Sequence, residues 1–234
     1  MNQKQGAYNG AVDALVIGNK NYSSWSLRPW LVLKQAHIDF QEIRIPLHQE
    51  TTDSDIRRYS PSGRVPVLRD GDLTVCESLA ICEYVAERFP HARLWPQDVR
   101  TRAVARSISH EMHAGFQALR KNMPMDCRTR FPGKGMAPGV QEDINRITDI
   151  WKGCRERYGK GGAMLFGHFT IADAMFAPVV TRFMTYEVKV DPISKAYMDA
   201  VLALPVMQEW IKAACEETEH FSESEAAADF KSKI

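Results

Sequence analysis

The strand signals of this chain largely stop at Pro90, and the apolar pattern beyond Pro96 is helical. That asymmetry constrains the fold more than any other feature, because runs of strand followed by runs of helix imply segregated layers or separate units. The first part can be read in order. Val12 to Gly18 is a short apolar run ending in glycine, the pattern of a strand buried on both faces. From Ser26 the residues Leu27, Trp30, Leu31 and Leu33 recur at helical spacing, with Pro29 near the start where its missing N–H costs little, and the helix ends near His37. Phe40, Ile43 and Ile45 mark a second strand, so the opening is a parallel β-α-β crossover. Asp53 to Tyr59 is a short helix that Pro61, Ser62 and Gly63 break. Val65 to Leu68 and Leu73 to Cys76 are brief strands around Asp70-Gly71, a hairpin signal that makes them antiparallel. Leu79, Ile81, Cys82, Val85, Ala86 and Phe89 give the helix that closes a β-α-β-α-β-β-α unit.

Pro90 to Pro96 is the linker. Val104, Ile108, Met112, Phe116, Leu119 and Met123 then repeat every three or four residues, which predicts one long amphipathic helix. Pro124 to Pro138 is a loop, and Ile144, Ile147, Trp151, Cys154 and Tyr158 set out another helix, ended by Gly159, Gly161 and Gly162. Thr170 and Asp173 have capping-box spacing before a helix running toward Phe183. Further helices begin near Ser194 and Val206, and a polar stretch follows from Glu216. With 234 residues the chain accommodates two domains, an α/β unit over 12–90 and an all-α unit over 98–220.

Composition removes several classes of function. Thirty basic residues are offset by 29 acidic ones, which leaves no surplus of Lys and Arg to displace the counterions of a nucleic acid. Met1 to Gly10 is polar and no apolar run approaches the about 20 residues that span a bilayer, so the expected location is the cytoplasm, with no membrane partner. The five cysteines are odd in number and scattered without a C-x-x-C pair, against a disulfide framework or zinc ribbon. They read as core residues. His110 and His113 stand three apart on a helix, but no ligand cluster completes a metal site, and both read as solvent-facing or cleft-lining.

Three features carry possible chemistry. The loop after the first strand delivers Tyr22, Ser23, Ser24, Trp25 and Ser26 to a helix N-terminus, where free N–H groups and the helix dipole favour an anion. A thiolate suits that place. Lowering a thiol pKa from about 8.5 by about 2 units requires roughly 2.7 kcal/mol, within reach of a hydroxyl donor plus the dipole. No cysteine stands there, so the thiol belongs to a ligand. Val65-Pro66 opens a strand, and a cis bond at that proline would turn the Val65 N–H and C=O toward an extended peptide. Glu77-Ser78 offers a carboxylate, a hydroxyl and helix N–H groups, a set that suits an amino-acid zwitterion. Singly, each has an ordinary explanation as a cap or an edge proline.

Taken in order within one β-α-β-α-β-β-α unit, they would hold three parts of one tripeptide. Here the sequence resembles the cytosolic glutathione S-transferase family over nearly its whole length, including the helical half with Phe169-Thr170-Ile171-Ala172-Asp173. The resemblance implies a thioredoxin-like N-terminal domain, a helical-bundle C-terminal domain, glutathione as cosubstrate without a metal, a small hydrophobic electrophile and a homodimer. Glutathione contacts fall by the same resemblance on Val65, Glu77 and Ser78, with Arg64 added where relatives often carry Gln or Lys. Ser23-Ser24-Trp25-Ser26-Leu27-Arg28 is similar to the serine motif of the zeta class, which includes maleylacetoacetate isomerases, although Trp25 stands where that class has cysteine. Zeta-like alignment selects Ser23 as the thiol-activating hydroxyl, and counting back four residues from Arg28 selects Ser24; Tyr22 ranks behind both. The activities in view are conjugation, a cis-trans isomerisation using the same thiolate, and a non-enzymatic module of this fold.

Overall fold

The structure, a computed structural model, describes residues 10–220. Its single sheet has the order β2-β1-β3-β4, formed by β1 (Ala11–Ile17), β2 (Asp39–Arg44), β3 (Val67–Asp70) and β4 (Leu73–Cys76). β1 runs parallel to β2 and antiparallel to β3, and β3 is antiparallel to β4. The central strand is covered on both faces. Leu15 and Ile17 belong to the main core with Leu27, Leu31 and Val85, whereas Val16 belongs to a smaller cluster with Ile45, Ile56 and Val67. This alternation is the period of two that a strand imposes, and it explains why the run Leu15-Val16-Ile17 is apolar without a gap.

α1 (Ser24–Gln35) and α3 (Ser78–Arg88) pack together in the main core, and α2 (Thr52–Arg57) contributes Ile56 to the smaller cluster. A 3₁₀ turn at Pro90–Ala92 leads to the helical half: α4 (Val99–Ala114), α5 (Gln117–Asn122), α6 (Val140–Tyr158), α7 (Ile171–Tyr186), α8 (Pro192–Leu202) and α9 (Pro205–Glu216). α7 packs on both α1 and α4, so one apolar cluster is continuous from the sheet into the helices. Its burial is nearly complete around the circumference, as expected of a helix apolar on every side. The capping box forms: Asp173 Oδ2 accepts from Thr170 N at 2.8 Å and from Thr170 Oγ1 at 3.0 Å, while Asp173 Oδ1 accepts from Leu165 N at 3.0 Å.

The long helix expected over Val104 to Met123 is instead two. α4 begins earlier, at Val99, because Asp98 accepts from Thr101 N at 2.8 Å as its N-cap. It ends at Ala114, where Gly115 extends and Phe116 takes the left-handed conformation at φ 62°. A Cβ on Gly115 would stand 2.8 Å from the Glu111 carbonyl oxygen, so only glycine fits. Arg120 then folds back, its Nε donating to Gly115 O at 2.9 Å and its Nη2 to Met112 O, which satisfies carbonyls that the end of α4 leaves open. β3 starts at Val67 rather than Val65, since Pro66 has no N–H to give a ladder and the Val65–Pro66 bond is cis.

Candidate functional site

The loop between β1 and α1 is held from the helical half. Lys20 N and Asn21 N donate to the Glu217 carboxylate at 2.6 and 3.0 Å, and Asn21 Oδ1 accepts from Cys127 N and Arg128 N at 2.8 and 3.0 Å. The Trp210 indole N–H donates to Lys20 O at 2.9 Å. These bonds fix where α1 begins. Ser23 is the N-cap of α1: its oxygen accepts from Ser26 N at 3.4 Å and its hydroxyl donates to Ser26 Oγ at 2.8 Å, which in turn accepts from Gly18 N at 3.1 Å. Its proton is therefore engaged inside the helix start. Ser24, slightly exposed at 6%, has no side-chain hydrogen bond among the described residues. The Tyr22 hydroxyl accepts from Arg128 Nη2 at 2.8 Å, and the residue lines a different cavity with Phe131 and Tyr186.

At the same end of the sheet, where Val16, Val67 and Cys76 stand in register, β4 stops at Cys76 and α3 starts at Ser78. Glu77 between them has φ 75° and ψ 128°, a conformation that costs a non-glycine residue about 1–3 kcal/mol and gathers at ligand clamps. The Ser78 hydroxyl is buried and has no partner among the described residues, which for a buried polar group calls for an explanation. Arg64, whose N–H donates to Ser60 Oγ at 3.2 Å, lies just ahead of the cis Val65–Pro66 bond.

These pieces meet at one cavity of about 300 Å³. The α/β half contributes Arg64, Val65, Glu77 and Ser78, together with Trp25 from the first turn of α1. The helical half contributes His113, Gln117 and Arg120. Of the residues singled out in the sequence, Arg64, Val65, Glu77 and Ser78 are thus brought together, whereas Ser23 and Ser24 are not on this wall: Trp25 forms it. His113 is on the wall and His110 faces outward, its Nδ1 2.8 Å from Arg106 O. Among the described residues no group of three His, Cys, Asp or Glu could hold a metal ion, and no helix is long and apolar enough to cross a membrane.

The electrostatics of the cavity are cationic. Arg28 is fully buried, all three of its guanidinium nitrogens lack a hydrogen-bond partner among the described residues, and its Cζ lies 4.3 Å from the centre of the Trp25 ring. Arg120 Cζ lies 4.9 Å from the same ring. Burial, then Arg120 and Arg182, hold Arg28 well below the usual guanidinium range, and burial followed by Arg182 pushes Arg120 down to about 9, still protonated at neutral pH. His113 meets the Trp25 ring edge-on at 5.2 Å, with Nε2 3.9 Å from Glu77 Oε2. Its imidazole lies below the ordinary value, first through burial and then through Arg28 and Arg120, with Glu77 opposing. Sequence reasoning missed Trp25, Gln117 and Arg120 as wall residues. The last two follow the helix break at Gly115, and nothing local in the sequence says which way the chain turns there.

Comparison with known proteins agrees with the fold. Residues 22–88 match the family described as glutathione S-transferase, N-terminal domain. Maleylacetoacetate isomerase of Rattus norvegicus is 28% identical over 176 residues, covering 72% of this chain and 77% of that protein. A glutathione transferase homologue from Burkholderia, solved with bound glutathione, superposes with a TM-score of 0.67 at 24% identity over 87% of this chain and 98% of its own. Maleyl pyruvate isomerase, described as a bacterial glutathione S-transferase in the zeta class, gives 0.68 at 20% identity over 88% of this chain and 100% of its own.

Proposed function

We propose that this chain, which carries a glutathione S-transferase N-terminal domain at residues 22–88 and has the glutathione transferase fold, is a glutathione-dependent transferase acting on a small hydrophobic electrophile. One observation carries the reading: Arg64, the cis-bonded Val65, Glu77 and a partnerless Ser78 hydroxyl line a single cavity. In it the Val65 backbone pairs with the extended tripeptide, the start of α3 and the Ser78 hydroxyl receive a carboxylate, and the Glu77 carboxylate receives the amine. Arg64 adds a contact to the other end of the ligand. Neither candidate hydroxyl lines the cavity; of the two, Ser24 keeps a proton free for the sulfur, because that of Ser23 is given to Ser26. The rate gain comes from the thiolate fraction and from holding sulfur near the electrophile. The protein works as a homodimer in the cytoplasm on this reading.

A second reading, isomerisation by reversible addition of the same thiolate to a conjugated double bond, is favoured by the similarity to maleylacetoacetate isomerase. Trp25 in place of the zeta-class cysteine weighs against it. Calorimetric titration with glutathione tests the common core: the parent binds, and Ser78→Ala weakens binding by about tenfold, the equivalent of one net hydrogen bond to a charged group. A parent protein that ignores glutathione would instead mark a binding module of the same fold.

A further inference from the structure

We propose that Arg120, backed by Arg28 behind the Trp25 ring, is the cation that holds the sulfur of bound glutathione as a thiolate. The inference rests on the glutathione reading and goes beyond it by naming a second group, from the helical half, that acts on the sulfur. Arg120 is built as a fixed donor. Two of its nitrogens are tied to the Gly115 and Met112 carbonyl oxygens, its side chain is buried, and it lines the cavity, while Nη1 donates to nothing among the described residues. A guanidinium pinned in this way loses little freedom when it meets an anion.

The surroundings offer no protein anion in contact with it. Arg120 has no salt bridge among the described residues; Asp143, the carboxylate that favours its charge, is itself bonded to Leu119 N at 2.9 Å. The Arg28 guanidinium has no hydrogen-bond partner among the described residues. Two guanidiniums over one indole ring, both buried and neither paired with a carboxylate, leave a positive field that a ligand must neutralise. Glutathione brings two carboxylates and a thiol that can ionise to a third anion. The start of α3 with Ser78 accounts for the carboxylate at one end of the extended tripeptide and Arg64 for the carboxylate at the other. What remains for the wall formed by Trp25, in the first turn of α1, is the sulfur. The cavity is at the lower end of the usual range for ligand pockets, about 300 to 1,000 Å³, so the tripeptide fills most of it. Ionisation breaks the S–H bond with the electron pair left on sulfur and the proton released to water at the mouth. An opposite charge at about 4–6 Å favours the charged form by one to three pH units, as much as a hydroxyl and a helix terminus together.

The test is a titration of thiolate ultraviolet absorbance for glutathione bound to the parent, Arg120→Met and Arg28→Met proteins, with affinities for glutathione and S-methylglutathione measured beside it. Arg28→Met removes no hydrogen bond and replaces an unpaired buried charge, so it keeps the fold and carries the test if Arg120→Met does not. Expected are a bound-thiol pKa raised by at least about one unit in each folded variant and an unchanged affinity for S-methylglutathione, which has no thiolate. An unmoved thiol pKa overturns the proposal. So does an equal loss of both ligands in Arg120→Met, which would give the guanidinium to a carboxylate of glutathione. A raised KM for carboxylate-bearing electrophiles with the thiol pKa unmoved would give it to the second substrate. A parent that binds no glutathione removes the transferase reading itself, a different result from any of these.

Discussion

Replacing Asp173 by alanine should cost this protein a large share of its stability without touching the cavity. The carboxylate is fully buried and accepts three hydrogen bonds, from Thr170 N, Thr170 Oγ1 and Leu165 N, at 2.8 to 3.0 Å. Alanine leaves two backbone N–H groups, at the fully buried residues Leu165 and Thr170, without acceptors. Each such group costs about 1–3 kcal/mol, so the loss is about 2–6 kcal/mol. Against it stands relief from burying a charge, since desolvation raises the Asp173 pKa despite the donors. A net loss of about 2–5 kcal/mol remains, a substantial part of the 5–15 kcal/mol typical of a folded chain. With a urea dependence near the upper end of about 1–3 kcal/mol per molar, as a chain of this size implies, the unfolding midpoint should fall by about 1–2 M. Tryptophan fluorescence reports it, because Trp151 packs on Phe176 and Phe183 of α7 at 6.0 and 5.5 Å between ring centres. Thr170→Ala, which leaves both backbone donors bonded to Asp173, should cost clearly less. Equal losses for the two variants, or an Asp173→Ala midpoint within about 0.3 M of the parent, would refute the reasoning.

Two further outcomes follow from the cavity wall. The His113 imidazole is depressed by burial, Arg28 of α1, Arg120 of α5 and His110 of α4, against Glu77; the unfolded chain therefore takes up the proton first. Its contribution is fully present above the unfolded value of about 6.5 and is lost as pH falls through the lower folded value, so from about pH 7.5 to 5.5 the parent should lose more urea stability than His113→Gln does. Glu77→Gly should relieve the positive φ and raise stability by about 1 kcal/mol while weakening glutathione binding; a stabilised variant with unchanged affinity in calorimetry would remove Glu77 from the ligand site.

The elements legible in the sequence are those whose cause is local. Leu15-Val16-Ile17 declares a doubly covered strand, Asp70-Gly71 a hairpin, and Thr170 with Asp173 a helix start, because each depends on residues within a few positions of one another. The cavity-lining residues Val65, Glu77 and Ser78 were legible for the same reason: each stands at the edge of an element, and the topology of a small sheet brings those edges together, whereas Arg64 came from the family resemblance alone. The break in the long helix was not legible. Val104, Ile108, Met112, Phe116, Leu119 and Met123 keep helical spacing across it, since the buried positions of α4 and α5 both face the core; what ends α4 is Gly115 together with a side chain reaching back from Arg120. Asp98, an N-cap six residues ahead of the first periodic position, was overlooked beside the more obvious linker prolines.

That break also decides what kind of site this is. Had α4 continued, Arg120 would stand on a helix face more than a turn past Ala114, with no exposed carbonyls at Gly115 and Met112 to bind. The turn at Phe116 does two things at once: it frees those carbonyls, and it returns a guanidinium to satisfy them beside Trp25. The same residue therefore closes a helix end and charges the cavity wall, so the local structural need accounts for two of its nitrogens and not for the third. A purely structural cap at this position needs hydrogen-bond donors but has no need of a second cation behind the ring. Arg28, buried and unpaired, is hard to explain by stability, because an apolar side chain in its place would remove an uncompensated charge. A ligand that arrives as an anion gives both guanidiniums a common cause.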